Sequence, residues 1–122
     1  MSRTEALNAA LSALRSSSAD VEACAVVSED GLIIASLLPQ GIEEGQVAAM
    51  SAAMLSMGAR TAAELKRGEL KQLFVKGDKG YVIIMHGGPH AVLIALTNEK
   101  AKLGLVFLDL SRAAEEVGKA LA

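Results

Sequence analysis

Apolar and polar positions follow two periods along this chain, and the switches between them mark out its elements. Leu7, Ala10, Leu11 and Leu14 recur at three- and four-residue spacing, the single apolar stripe of a helix predicted from Ser2 to about Ser16. Ser2-Arg3-Thr4-Glu5 has the form of a capping box at its start. After a polar loop at 16–20, Val21 to Ser28 reads as a strand. Glu29-Asp30-Gly31 reads as a hairpin turn, because Gly31 supplies the positive φ such turns need. Leu32 to Leu38 returns as a second strand. Leu70 to Lys76, Tyr81 to His86 and Ala91 to Thr97 are three more strands, separated by turns at 77–80 and 87–90. Short turns make antiparallel neighbours. The last helix starts near Glu99 or Lys102, with Asn98 as a candidate cap, and runs to Leu121. Leu103, Phe107, Leu110, Ala114, Val117 and Leu121 give it one apolar face, and the opposite face carries Lys, Glu and Arg.

The longest stretch without an interior turn signal is 42–67, IEEGQVAAMSAAMLSMGARTAAELKR. It predicts a helix from about Glu43 to Lys66, built of strong helix formers and stopped at Gly68. Val47, Met50, Met54 and Leu65 share one side, flanked by Met57 and Gly58; Ala48, Ala52, Leu55, Ala59 and Ala63 share another. Only Gln46, Ser56, Arg60, Glu64 and Arg67 form a polar wedge. A helix apolar around most of its circumference is buried on more than one side. Two readings fit: a core helix of a monomer, or a helix with its own sheet on one side and a second copy of the chain on the other. For the second, Ser51 and Gly58 would permit close approach, and the methionines would adapt to a partner. The element order is α-β-β-α-β-β-β-α. The two one-sided helices share one face of the sheet, and the central helix covers the other.

Composition narrows the function classes. A chain of 122 residues that is 52% hydrophobic predicts one folded domain spanning 1–122. Phe74, Tyr81 and Phe107 are its only aromatic residues, too few for a platform that stacks nucleic-acid bases. A net charge of −2 and no basic cluster argue against nucleic acid or an anionic membrane surface as partner. No apolar run approaches the ~18 residues of a membrane span, so membrane insertion is not expected. Cys24 is the only cysteine and the start is no secretory signal, which predicts a cytoplasmic protein in a reducing compartment.

AVVSEDGLIIAS at 25–36, the Ala/Met helix at 47–65, LKQLFVKGDKGYVIIM at 70–85 and VLIALTNEKAKLGLV at 92–106 together resemble the roadblock / dynein light chain family, over essentially the whole chain. Profilin and longin domains share the general layout. The resemblance implies an α+β fold with a five-stranded antiparallel sheet in the order 2-1-5-4-3, which puts strand three on an edge. It implies a homodimer that joins two sheets through that edge and pairs the central helices. The expected interface residues are Val47, Met50, Met54, Met57, Leu70, Leu73, Phe74 and Val75. It further implies a noncatalytic regulator or scaffold of a Ras-like small GTPase, affecting its hydrolysis or localisation.

No motif for phosphate-loop nucleotide binding, serine hydrolysis or zinc is present, and no cofactor is expected. His86 and His90 flank a Gly-Gly-Pro turn that removes the helical geometry a metal pair would use, and no third ligand is near. Cys24 lies in a strand without an acid–base partner and reads as a small buried hydrophobe. On the polar wedge, Gln46, Ser56, Arg60 and Glu64 are the candidate GTPase contacts. Arg60 could serve as an arginine finger or simply pair with Glu64 one turn on. The alternative reading is a structural adaptor that assembles a motor, cytoskeletal or signalling complex without touching hydrolysis. A third is a small-ligand sensor or enzyme, against which stands the lack of buried titratable groups.

Overall fold

The computed structural model describes residues 1–122. The capping box forms at the start of α1 (Arg3–Ser17): the Glu5 N–H donates to Ser2 Oγ at 3.1 Å and the Ser2 N–H to Glu5 Oε1 at 3.3 Å. The remaining elements are β1 (Val21–Ser28), β2 (Ile33–Leu37), α2 (Glu44–Glu64), β3 (Leu73–Gly77), β4 (Gly80–His86), β5 (Ala91–Thr97) and α3 (Leu103–Leu121). The sheet is antiparallel throughout, in the order β2-β1-β5-β4-β3. Element order and strand order are those expected from the sequence.

Both faces of the sheet are covered, as its apolar strands require. On one side Leu7, Leu11 and Leu14 of α1 and Val106, Leu110 and Val117 of α3 pack on Cys24, Val26, Ile83, Met85 and Leu93. On the other side Val47, Ala48 and Leu55 of α2 pack on Ala25, Val27, Ile84, Val92 and Ile94. The central strand residues are sealed on both faces because alternate side chains feed the two cores. The β3–β4 hairpin is pinned to the end of β5: a Cβ on Gly80 would overlap the Thr97 carbonyl oxygen.

Several boundaries differ from expectation. β3 begins at Leu73 rather than Leu70, because Leu70 turns inward and meets Gly58 of α2. β2 begins at Ile33, leaving Leu32 in the turn and 66% exposed. Asn98 does not cap α3. Its amide instead donates to Asp20 Oδ1 at 3.1 Å and its Oδ1 accepts the Lys100 N–H at 2.9 Å, so the helix waits until Lys102. The outer face of α3 is also not wholly charged, since Leu105 and Leu108 are exposed on it. The stop of α2 comes before Gly68: Lys66 takes the left-handed conformation at φ 60, its N–H donates to Ala63 and that of Arg67 to Ala62. That bond pair is a Schellman motif with lysine where glycine is usual.

Candidate interface on the central helix and the open edge strand

The two outer strands of the sheet differ in kind. β3 pairs with β4 in unbroken register from Leu73↔Ile84 to Gly77↔Gly80. Its other edge meets no strand, and Phe74 and Val75 are about half exposed, at 50% and 46%. β2 pairs with β1 through Val26↔Ala35 and then Val27↔Ile33, so Ile34 is an extra residue without a partner. That bulge twists and breaks the row of backbone groups along the β2 edge, a device that discourages further pairing. β3 carries no such protection.

Beside the open edge lies one flank of α2. Met54, Met57 and Leu65 stand over Leu70, Leu73 and Val75 and line an apolar groove of about 470 Å³. Met50 continues the same flank along the helix. Met50, Met57 and Leu65 are each more than half exposed, a costly display of apolar surface for an isolated chain.

Of the expected interface residues, Met50, Met54, Met57, Leu70, Leu73 and Val75 therefore lie on one surface. Val47 and Phe74 do not share that surface. Val47 is 6% exposed and packs in the core under α2. The helix is rolled so that Val47, Ala48, Ser51 and Leu55 meet the sheet, placing its bulky aliphatic residues on Val92 and Ile94. Phe74 points to the opposite face of the sheet, where its ring meets Phe107 edge-on at 6.1 Å and Tyr81 at 6.5 Å. Ser51 and Gly58 serve the chain itself rather than a partner. The Ser51 hydroxyl donates to the Val47 carbonyl at 2.6 Å, and a Cβ on Gly58 would lie 3.2 Å from Leu70.

Gln46, Ser56, Arg60 and Glu64 are all exposed and share the outward face of α2. Arg60 Nε donates to Glu64 Oε1 at 2.9 Å, with both side chains more than 60% exposed. A solvated pair of this kind contributes little to stability and leaves the guanidinium free to exchange partners. On the far flank of α2, Ala59, Ala63 and Lys66 border an open cleft with His86, Gly88 and Pro89. Sequence periodicity could not show this cleft, because it depends on how the β4–β5 turn meets the helix. His86 faces that cleft. His90 instead sits with Nδ1 2.6 Å from Glu29 Oε1, tying the β4–β5 turn to the β1–β2 turn. No group of three or more His, Cys, Asp or Glu side chains converges anywhere, and no helix is long and apolar enough to cross a membrane.

The Roadblock/LC7 domain model matches residues 7–97. Protein MJ1340 of Methanocaldococcus jannaschii is 39% identical over 92 residues, which cover 75% of this chain and 80% of the relative. The gliding protein MglB of Thermus thermophilus superposes with a TM-score of 0.88 at 18% identity, covering 98% of this chain and 91% of that one. Myxococcus xanthus MglB superposes at 0.87 with 23% identity over 94% of each chain. At those identities the two structures speak to fold alone. The family model spans well over half of the chain and the fold agrees with it: the chain belongs to the Roadblock/LC7 domain family.

Proposed function

We propose that this chain is a noncatalytic module that pairs with a second copy of itself and, as a dimer, binds a Ras-like small GTPase and controls its hydrolysis or its position. One observation carries the pairing: the unbulged sheet edge lies beside the exposed methionine flank of α2. Joining β3 to β3 of a second copy about a two-fold axis satisfies the edge and brings the Met50–Met54–Met57 flanks together. The outward wedge of both α2 helices then forms one polar surface, with Gln46, Ser56, Arg60 and Glu64 as its GTPase contacts. The family resemblance supports the choice of partner. Arg60 stands on a helix rather than on a projecting loop, so stimulation of hydrolysis would come from ordering the GTPase's own switch segments. The absence of a loop-borne arginine on this face also favours a second reading, in which the dimer is an adaptor that leaves hydrolysis unchanged.

Light scattering on a size-exclusion column tests the pairing. The expected mass is twice 12.6 kDa. Combining Met57→Lys with Val75→Lys, both at exposed positions, places like charges at the seam and should return the single-chain mass with an unchanged circular dichroism spectrum. A wild-type chain that stays at 12.6 kDa on concentration sinks the proposal. For the partner, Arg60→Ala should weaken binding of a small GTPase from the same genome by roughly tenfold or less, about 1.4 kcal/mol. Single-turnover hydrolysis at saturation should be unaltered by that substitution. Its abolition would make Arg60 a finger, and a wild-type protein without effect on hydrolysis would leave the adaptor.

A further inference from the structure

Five methionines and one cysteine carry the chain's sulfur, and their settings differ. Cys24 and Met85 lie in the core, at 0% and 6% exposure, out of reach of a dissolved oxidant. Met1 stands free at the terminus, 92% exposed. The other three, Met50, Met54 and Met57, keep the spacing of one helix flank. Met50 and Met57 are 51% and 63% exposed, and Met54 and Met57 line the groove against Leu70, Leu73 and Val75. Leucine would fill these positions with a similar volume, but only the thioether can take up an oxygen atom. The groove has few donors for such an oxygen. The Thr61 hydroxyl donates to the Met57 carbonyl at 2.7 Å, and Arg67 Nε donates to the Leu65 carbonyl at 3.1 Å.

We propose that the methionine flank of α2, through Met57 and Met50 above all, is a reversible oxidation site that controls pairing of the chain; this rests on the β3-edge dimer proposed above. The oxidant is hydrogen peroxide. The Sδ lone pair attacks one peroxide oxygen, the O–O bond breaks, a sulfur–oxygen bond forms and the other oxygen leaves as water. Sulfur loses two electrons and the peroxide gains them. The sulfoxide is a polar acceptor on a side chain that was apolar. In the dimer it would be shut between two methionine flanks, so its desolvation opposes association. Each modified chain weakens pairing about tenfold, and the two-fold brings both sulfoxides to one seam, so two modified chains weaken it about a hundredfold. Pairing and oxidation then exclude each other: the dimer covers the sulfurs, and the sulfoxides keep the chains apart. A methionine sulfoxide reductase driven by a dithiol returns the thioether and releases the oxygen as water.

The test treats the full chain with hydrogen peroxide, maps oxygen uptake by peptide mass spectrometry and follows molecular mass by light scattering. Met1, Met50 and Met57 are expected to oxidise while Met85 stays reduced. At a concentration where untreated chain is paired, oxidised chain should fall to the single-chain mass with an unchanged circular dichroism spectrum. Sulfoxide reductase with dithiothreitol should restore the pair. Uptake at Met57 should slow as protein concentration rises, and uptake at Met1 should not. A variant combining Met50→Leu, Met54→Leu and Met57→Leu should pair as wild type does and stay paired after the same treatment. Met57→Gln, a polar side chain of similar length at an exposed position, should weaken pairing about tenfold without any oxidant. The proposal is overturned if oxidised wild type stays paired, or if the leucine variant dissociates as wild type does. It is overturned equally if Met85 takes up oxygen before Met57, which would make dissociation a consequence of unfolding. Untreated chain that never pairs would overturn the β3 dimer and this site with it, whereas paired chain indifferent to oxidation would remove this site alone.

Discussion

Cys24 sits at the centre of β1 without solvent contact, its Sγ 3.6 Å from the Leu11 carbonyl oxygen. Burial pushes its thiol up from 9.0 to about 11, against a smaller pull downward from the Arg15 charge. The folded state therefore holds the proton through a range where the unfolded chain releases it. Its stabilising contribution is whole below pH 9.0 and is lost as pH rises toward about 11. Urea melts of wild type should lose on the order of 2 kcal/mol more over that window than melts of Cys24→Ala; parallel pH profiles would refute the assignment. The same thiol should resist alkylation in the native protein at neutral pH. Cys24 was legible as a buried hydrophobe because both neighbours are small and its strand is apolar. Val47 was not legible. Its place beside Met50 and Met54 on a helical wheel is correct, but where the sheet meets that wheel depends on side chains nearly fifty residues away. Ser51 shows the same limit, since a buried hydroxyl bonded to its own helix has no signature in the order of residues.

Elements announced themselves where a local signal was strong, such as the capping box of α1, the Asp30-Gly31 turn and the doubly apolar β4 and β5. They misled where a tertiary contact overrode the signal. Asn98 is a good cap by type, yet it bonds Asp20 and Lys100 instead. The end of α2 is the clearest case. Gly68 looked like the stop, but the chain turns two residues earlier at Lys66, whose φ is 60. A non-glycine residue there carries a penalty of roughly 1–2 kcal/mol from its Cβ. Lys66→Gly should therefore stabilise the protein by about 1 kcal/mol, less the added freedom of the unfolded chain. A shift of the urea midpoint to higher concentration at constant slope would register it. A lower midpoint would mean that the lysine side chain contributes to the fold through the cleft beside Pro89.

At the scale of the molecule, the helix cover on both faces of the sheet followed from counting apolar faces, whereas the strand order came from the family resemblance. The quality of each sheet edge followed from neither, because a bulge is invisible in a short strand with no glycine to mark it. In the proposed dimer the open β3 edge and the methionine flank are buried together, so pairing and folding are linked. The thermal midpoint should then rise with protein concentration in wild type and become independent of it in the Met57→Lys, Val75→Lys variant. Equal concentration dependence in both would place the linkage elsewhere. The extra residue at Ile34 acquires its meaning here. A unit with two pairing edges is the repeat of a fibre, since each addition exposes another edge like the one it covered. A unit with one pairing edge has a valency of one, and two such units exhaust each other. In the proposed dimer, by spoiling β2 while leaving β3 intact, a single unpaired isoleucine would make the sheet a closing piece rather than a growing one.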